Sequence, residues 1–170
     1  NYIENVTGEI KYKNNKIIKL NLDGLFNNGE ALSIKTFKKN EELITNIFTN
    51  YPKPIIDRYK FIKGFEEGVL DFQSIKRNNK FNSLLIIDNF KVKEVPALAK
   101  ILTLASLQGI ADLLTGEGIR FTDFEMKYTS QNNIIEIDEL YAIGPAISIL
   151  MSGYIEKNKL VSLRGTLVPA

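Results

Sequence analysis

The sequence predicts a mainly β fold: a long, bent antiparallel sheet that forms either a taco-like groove or a sandwich, with few helices. Apolar and polar residues alternate with period two in several runs, as in Ile18, Leu20 and Leu22, which is typical of half-buried strands. Turn signals rich in Asn and Gly separate these runs at intervals that suit hairpins. Only two segments, at about 52–59 and about 96–114, break the strand pattern.

About ten strands are expected. In the run 119–128 the apolar phase slips between Phe121 and Phe124, which predicts a bulge near Thr122 and Asp123. The predicted strands lie near Ile10 and in the ranges 18–22, 32–34, 43–48, 69–75, 84–90, 119–128, 135–137, 147–151 and 161–168.

The first break is short, and Pro54 could start a helical turn or two within about 52–59. The second, at about 96–114, predicts one long helix with Pro96 at its first position and Gly116 at its C-terminal stop. Its few polar residues do not form a hydrophilic face, so we expect it to be buried on most sides. A transmembrane helix is disfavoured because Lys100 and Asp112 fall inside the run. Gly109 should weaken the helix by about 1 kcal/mol and could permit a bend.

Composition limits the classes of function. With 170 residues the chain suits a single domain over 1–170, and we interpret it as a fragment of a larger protein. The net charge is only +2 and the lysines are scattered, so no nucleic-acid partner is expected. Cysteine and histidine are both absent, which removes disulfides, thiolate or imidazole metal sites and imidazole-based catalysis.

The carboxylates do not suggest a catalytic site. Glu136 and Asp138 alternate with apolar residues on a strand, and Glu66 and Glu67 lie beside glycines at a turn, so both pairs are better explained as solvated. Glu117 lies between two glycines that mark the end of a helix. We found no phosphate loop, dinucleotide fingerprint or nucleophile elbow. The sequence therefore predicts a protein that is not an enzyme, without catalytic residues, metal or cofactor.

The one-sided apolar strands raise a different question, because an apolar sheet face must be covered by another sheet, by helices or by an apolar ligand. One long helix cannot cover about ten strands. The pattern alone leaves two solutions open: the sheet folds over on itself as a sandwich, or it curls into a trough whose lining stays available to lipid.

The second half of the chain resembles the C-terminal region of AsmA-like proteins of the Gram-negative envelope, most closely the YhdP-type branch. The resemblance rests on segments that occur in order over roughly the last 110 residues, whereas the first 60 are only compatible strands. These segments are GFEEGVLDFQS (64–74), NSLLIIDNFKVKEVPALAKILTLASLQGIADLLTGEGIRFTDFEMKY (82–128) and AIGPAISILMSGYIEKNKLVSLRGTLVPA (142–170).

The resemblance implies a segment of a lipid-transfer protein that conducts phospholipid along an apolar β-groove between the inner and outer membranes, as part of outer-membrane biogenesis. It implies a periplasmic location in a parent protein anchored in the inner membrane. The expected partners are a phospholipid or other acyl-chain ligand, the remainder of the parent chain and other envelope proteins. The alternative is a structural β-module that docks a partner without holding lipid.

Two sets of residues follow as expectations. The long helix would plug or cap the groove through Leu98, Ile101, Leu102, Ala105, Gly109 and Leu113. Each lining position has ordinary core packing as its alternative, and the expected lining residues are Ile18, Leu20, Leu22, Leu32, Ile34, Leu84, Ile86, Ile135, Ile137, Ile147 and Ile149.

Overall fold

The computed structural model describes residues 3–58 and 62–170, which form one open ten-stranded antiparallel sheet. Each strand pairs with its neighbours in the chain, in the order β1 to β10. The mainly β fold class is therefore confirmed. The strands are β1 (Ile3–Lys13), β2 (Lys16–Phe26), β3 (Ala31–Lys39), β4 (Glu42–Thr49), β5 (Lys63–Arg77), β6 (Lys80–Lys93), β7 (Ile119–Gln131), β8 (Ile134–Ile143), β9 (Ile147–Glu156) and β10 (Leu160–Pro169).

The two ends of the sheet differ in their connections. At one end, here called the hairpin end, five tight turns join β1 to β2, β3 to β4, β5 to β6, β7 to β8 and β9 to β10. Asparagines with positive φ occupy these turns, including both members of Asn14–Asn15 and of Asn132–Asn133, as hairpin turns require. The opposite end, here called the helical end, carries both helical connections. The hairpin end is therefore left without covering segments among the described residues.

The first helical connection contains α1 (Lys53–Ile56), four residues that follow Pro52 at the N-cap. The expected helix at about 52–59 is thus shorter than predicted, and Tyr59 lies outside the described residues. Ile56 is buried and belongs to the core, so this short turn closes the helical end beside β5.

The expected long helix at about 96–114 is two helices, α2 (Pro96–Leu104) and α3 (Gln108–Thr115). The break lies at Ser106, whose φ is +61°, and not at Gly109. The N–H of Leu107 donates to the carbonyl of Leu102 at 2.8 Å, and the N–H of Ser106 donates to Thr103 at 3.0 Å. This pair of bonds forms a Schellman motif, with serine at the position that glycine usually occupies.

The core lies between α2, α3 and the helical end of β5 to β10. Leu102 and Leu114 are fully buried there against strand residues such as Phe65 and Ile119. The prediction of burial on most sides is nevertheless wrong, because Leu104 on α2 is 76% exposed. Each helix buries one side against the sheet and leaves the other side open.

The phase slip predicted in β7 is present, but it is shared with the neighbouring strand. Phe121 and Phe124 both pack against Phe90, with ring centroids 5.5 and 6.2 Å from that ring. Asn89 of β6 has a φ of +52°, and the pairing of β6 with β7 continues without a register shift, so no bulge forms at Thr122 and Asp123. The register shift of this region lies instead in β8, between Ile137 and Leu140.

Candidate functional site: an apolar sheet face with a polar rim

Cross-strand pairs define the two faces of the sheet, because directly paired residues of an antiparallel ladder point to the same side. One face, here called the apolar face, carries Leu32, Ile34 and the residues that pair with them, either directly or through successive strands. The other, here called the mixed face, carries the residues that alternate with these, such as Lys35 and Asp71.

A single row of large hydrophobic residues crosses eight strands on the apolar face, and we call it the apolar track. Its members are directly paired from β2 to β9, and none is fully buried or fully exposed. Because neighbouring strands lie about 4.8 Å apart, the track is about 34 Å long. It consists of Leu22, Ile34, Ile47, Phe72, Leu85, Met126, Leu140 and Met151.

Sixteen positions of β3 to β6 form four rows on this face, and along β3 and β5 the residues become more polar from the helical end to the hairpin end. The row nearest the helical end is buried, the apolar track follows it, and a row of hydroxyl residues follows the track. The row nearest the hairpin end contains the two charged residues, Lys38 and Lys76. In strand order the four rows are Leu32, Thr49, Leu70 and Ile87; Ile34, Ile47, Phe72 and Leu85; Thr36, Thr45, Ser74 and Ser83; and Lys38, Leu43, Lys76 and Phe81.

The hydroxyl row is paired within itself. The Thr36 and Thr45 hydroxyls lie 3.1 Å apart, and those of Ser74 and Ser83 lie 2.9 Å apart. A hydroxyl has one donor and two acceptor positions, so each pair satisfies one hydrogen bond internally. Thr36 and Thr45 are half-buried, whereas Ser74 and Ser83 are buried. This row is the boundary between the apolar track and the lysines.

The lysine row carries positive charge without carboxylate partners. Among the described residues, neither Lys38 nor Lys76 forms an ion pair, and the Lys76 ammonium lies 5.1 Å from the centre of the Phe81 ring. Three carboxylates lie alongside the four rows, Glu42, Asp71 and Asp88, and all three belong to the mixed face, whereas Glu66 and Glu67 of β5 lie nearer the helical end.

A cavity of about 660 Å³ lies beside the track, between α2 and the last two strands. Ile101, Leu104 and Leu107 line it from the helical connection, and Met151 and Leu167 line it from the sheet. Met151 is also the last residue of the apolar track. The cavity therefore continues the track toward the edge strand β10.

The expected lining residues do not all share one face. Leu84 pairs with Gln73 and Ile86 pairs with Asp71, so both lie on the mixed face, where they border a depression of about 490 Å³. In the apolar run of β6 it is Leu85 and Ile87 that share the face of the other expected residues, so Leu84 and Ile86 could not line the same surface as those. The other nine expected residues lie on the apolar face: Ile18, Leu20, Leu22, Leu32, Ile34, Ile135, Ile137, Ile147 and Ile149.

Burial divides these nine residues further. Ile147 and Ile149 belong to the core under the helices, and Leu32 and Ile137 are also buried, so ordinary packing describes these four. Ile18, Leu20, Leu22, Ile34 and Ile135 are half-buried and remain accessible.

The six expected plug residues divide in the same way. Leu102 is fully buried, and Leu98 and Leu113 pack against the core. Ile101 and Ala105 line the cavity. Gly109 is exposed, and a Cβ added there would meet nothing within 4 Å, so it packs against neither the core nor the cavity. The helices thus cover one end of the apolar face and do not fill it.

The sequence analysis missed most of the apolar track and the whole polar rim, which consists of the hydroxyl row and the lysine row. The signal was present in β3, where the alternation Leu32, Ile34 continues through Thr36 to Lys38. Extending that alternation in β3 and β5 would have identified the two lysines. The track residues of β6 and β8 required the register of the sheet.

Charge pairs occupy the mixed face and the helical end. Glu125 accepts hydrogen bonds from Lys127 and Tyr141, and these bonds lower the pKa of Glu125 and raise that of the Tyr141 phenol. Arg120 donates two hydrogen bonds to Glu67, at 2.8 and 2.9 Å, which lower the pKa of the Glu67 carboxyl. Lys127 also lines a shallow pocket together with Tyr128 and Asp138.

Within residues 3–58 and 62–170, no group of acidic side chains could hold a metal ion, and no helix has the length and hydrophobicity needed to span a membrane. Comparisons with protein-family models, with curated proteins and with solved structures gave no significant match.

Proposed function

We propose that this chain is a segment of an envelope lipid-transfer protein, and that it holds the acyl chains of phospholipid on the apolar track. The observation that carries this proposal is the unbroken row of eight half-buried hydrophobic side chains on one face of an open sheet. Five of the eight residues also pack against the core, and the part of the row that stays accessible forms a contiguous apolar surface of the kind that serves as an interaction site. The resemblance of the second half of the sequence to AsmA-like proteins supports the same function.

The track suits a ligand that slides and is not locked in place. No charged residue interrupts it, so an acyl chain meets similar aliphatic contacts at each strand. Each CH₂ group transferred from water is worth about 0.8 kcal/mol, and this gain is nearly the same at successive positions along a uniform surface. Movement along the track then needs no covalent chemistry. The periplasmic location and the role between two membranes belong to this proposal.

The test is native mass spectrometry with lipid extraction, applied to the chain purified from a Gram-negative bacterial host. Ile34→Asp places a carboxylate on the apolar track, and Phe37→Asp places one on the mixed face of the same strand, where Phe37 is 38% exposed. We expect phospholipid to accompany the wild-type chain and Phe37→Asp, and to be lost from Ile34→Asp. Circular dichroism and urea unfolding check that both variants keep the fold.

A docking module is the second candidate, and the edge strand β10 favours it. Its outer edge has no partner among the described residues, and Val161 and Val168 are 62% and 56% exposed. Such an edge can pair with a strand of another chain or of the same parent protein. A wild-type chain that carries no lipid and takes up none from vesicles would favour this candidate over lipid transfer.

A further inference from the structure

We infer that the apolar face binds anionic phospholipid in one orientation, with the head group at Lys38 and Lys76 and the acyl chains directed toward the helical end. This inference rests on the proposed function and adds to it the charge and the direction of the ligand. It follows from the order of residues along β3 and β5, which changes from apolar through hydroxyl to cationic, whereas β4 and β6 between and beside them end in Leu43 and Phe81.

The dimensions agree with this orientation. From Leu43 in the lysine row to Thr49 in the row nearest the helical end is six residues, or about 20 Å at about 3.3 Å per residue. The hydrocarbon core of a bilayer is about 30 Å thick, so the acyl region of one leaflet is about 15 Å deep. A lipid whose head lies at the lysine row can therefore place its acyl chains across the hydroxyl row and the apolar track.

The charges favour an anionic head group. Lys38 is exposed and forms no ion pair with a carboxylate among the described residues, and Leu43 between the two lysines is only half-buried. The turns of the hairpin end are too short to cover them. A phosphate-bearing head group with net negative charge would meet two cations there, whereas a zwitterionic head group would bring its own cation to the same place.

The first experiment measures head-group preference. The chain is incubated with vesicles of equal parts phosphatidylglycerol and phosphatidylcholine with identical acyl chains, separated from them, and its bound lipid is extracted and quantified. We expect enrichment of phosphatidylglycerol. The double variant Lys38→Gln/Lys76→Gln should lose that enrichment by up to about 30-fold, since each lysine near an anionic lipid surface contributes about a factor of five.

The control variant Lys35→Gln/Lys80→Gln removes the same charge from the mixed face, in the middle of β3 and at the hairpin end of β6, and neither lysine forms an ion pair among the described residues. It should keep the enrichment. Equal binding of both lipids by the wild type, or equal loss in the two double variants, would overturn the inference and leave acyl-chain binding intact. A wild type that binds neither lipid would overturn the proposed function as well.

The second experiment measures orientation. The chain contains no tryptophan, so Phe72→Trp on the track and Phe81→Trp in the lysine row each give a single fluorophore. The two positions are four residues apart along the strand direction, about 13 Å. Phosphatidylglycerol brominated near the methyl end should quench Phe72→Trp more strongly, and the same lipid brominated near the ester end should quench Phe81→Trp more strongly. The reverse pattern would overturn the orientation.

Discussion

Two leucines of α2 provide a sharp test of how the helices cover the sheet. Leu102 is fully buried against the core, whereas Leu104, two residues later, is 76% exposed. Truncation of a buried leucine to alanine costs about 2–5 kcal/mol, because it removes transfer free energy and leaves a cavity. We expect Leu102→Ala to lower the free energy of unfolding by about 3 kcal/mol. Leu104→Ala should change it by no more than about 0.5 kcal/mol.

Urea unfolding followed by circular dichroism measures both changes, with the m-value as a check that the extent of unfolding is the same. For a chain of this size, 1 kcal/mol shifts Tm by about 2–4 °C, so Leu102→Ala should lose about 6–12 °C and Leu104→Ala less than about 2 °C. An equal loss in the two variants would refute the reasoning. It would show that Leu104 is covered and that the cavity beside α2 is not open.

Four further substitutions test local features. Gly153 has a φ of +146°, and a Cβ there would clash with the Ser162 carbonyl oxygen, so Gly153→Ala should destabilise β9 and β10 and lower Tm in a thermal scan. Gly109→Ala, in an open helical position, should instead raise the free energy of unfolding by about 0.5–1 kcal/mol in the same urea assay. Ser106→Gly should also raise it, by about 1 kcal/mol, because glycine adopts positive φ without strain. The folded-state pKa of Glu125 is lowered, so the stabilisation from its carboxylate is present above the unfolded pKa and is lost as pH falls through the folded pKa. The free energy of unfolding of Glu125→Gln should therefore fall less between neutral and acidic pH than that of the wild type. The same pH profile in both proteins would contradict that role of Glu125.

The strand pattern was predictable because it depends on local information. Alternation such as Ile18, Leu20 and Leu22 identifies a strand, and asparagine turns identify the hairpins that join consecutive strands. The ten strands and their antiparallel order follow from these two signals. The sandwich and the groove could not be separated in the same way, because alternation does not show whether a sheet face meets another sheet.

The errors came from residues whose position depends on tertiary contacts. The run of four apolar residues in β6, from Leu84 to Ile87, has no alternation, so only pairing with β5 decides which two lie on the apolar face. The break in the long helix lies at Ser106, a residue type that seldom occupies a C′ position, and the expectation of a bend at Gly109 followed propensity alone. The polar rim was missed because hydroxyl and lysine residues at alternating positions were read as the end of an apolar pattern.

Contact between an acyl chain and the apolar track is the central claim, and single-tryptophan quenching tests it most directly. Phe72→Trp lies on the track, and Phe48→Trp lies on the mixed face of the adjacent strand, where Phe48 is 43% exposed. Both substitutions keep an aromatic ring in a chain that has no other tryptophan. Phospholipid brominated along its acyl chains should quench the fluorescence of Phe72→Trp and leave Phe48→Trp unchanged. Equal quenching of the two variants, or none in either, would contradict binding of lipid on the apolar face.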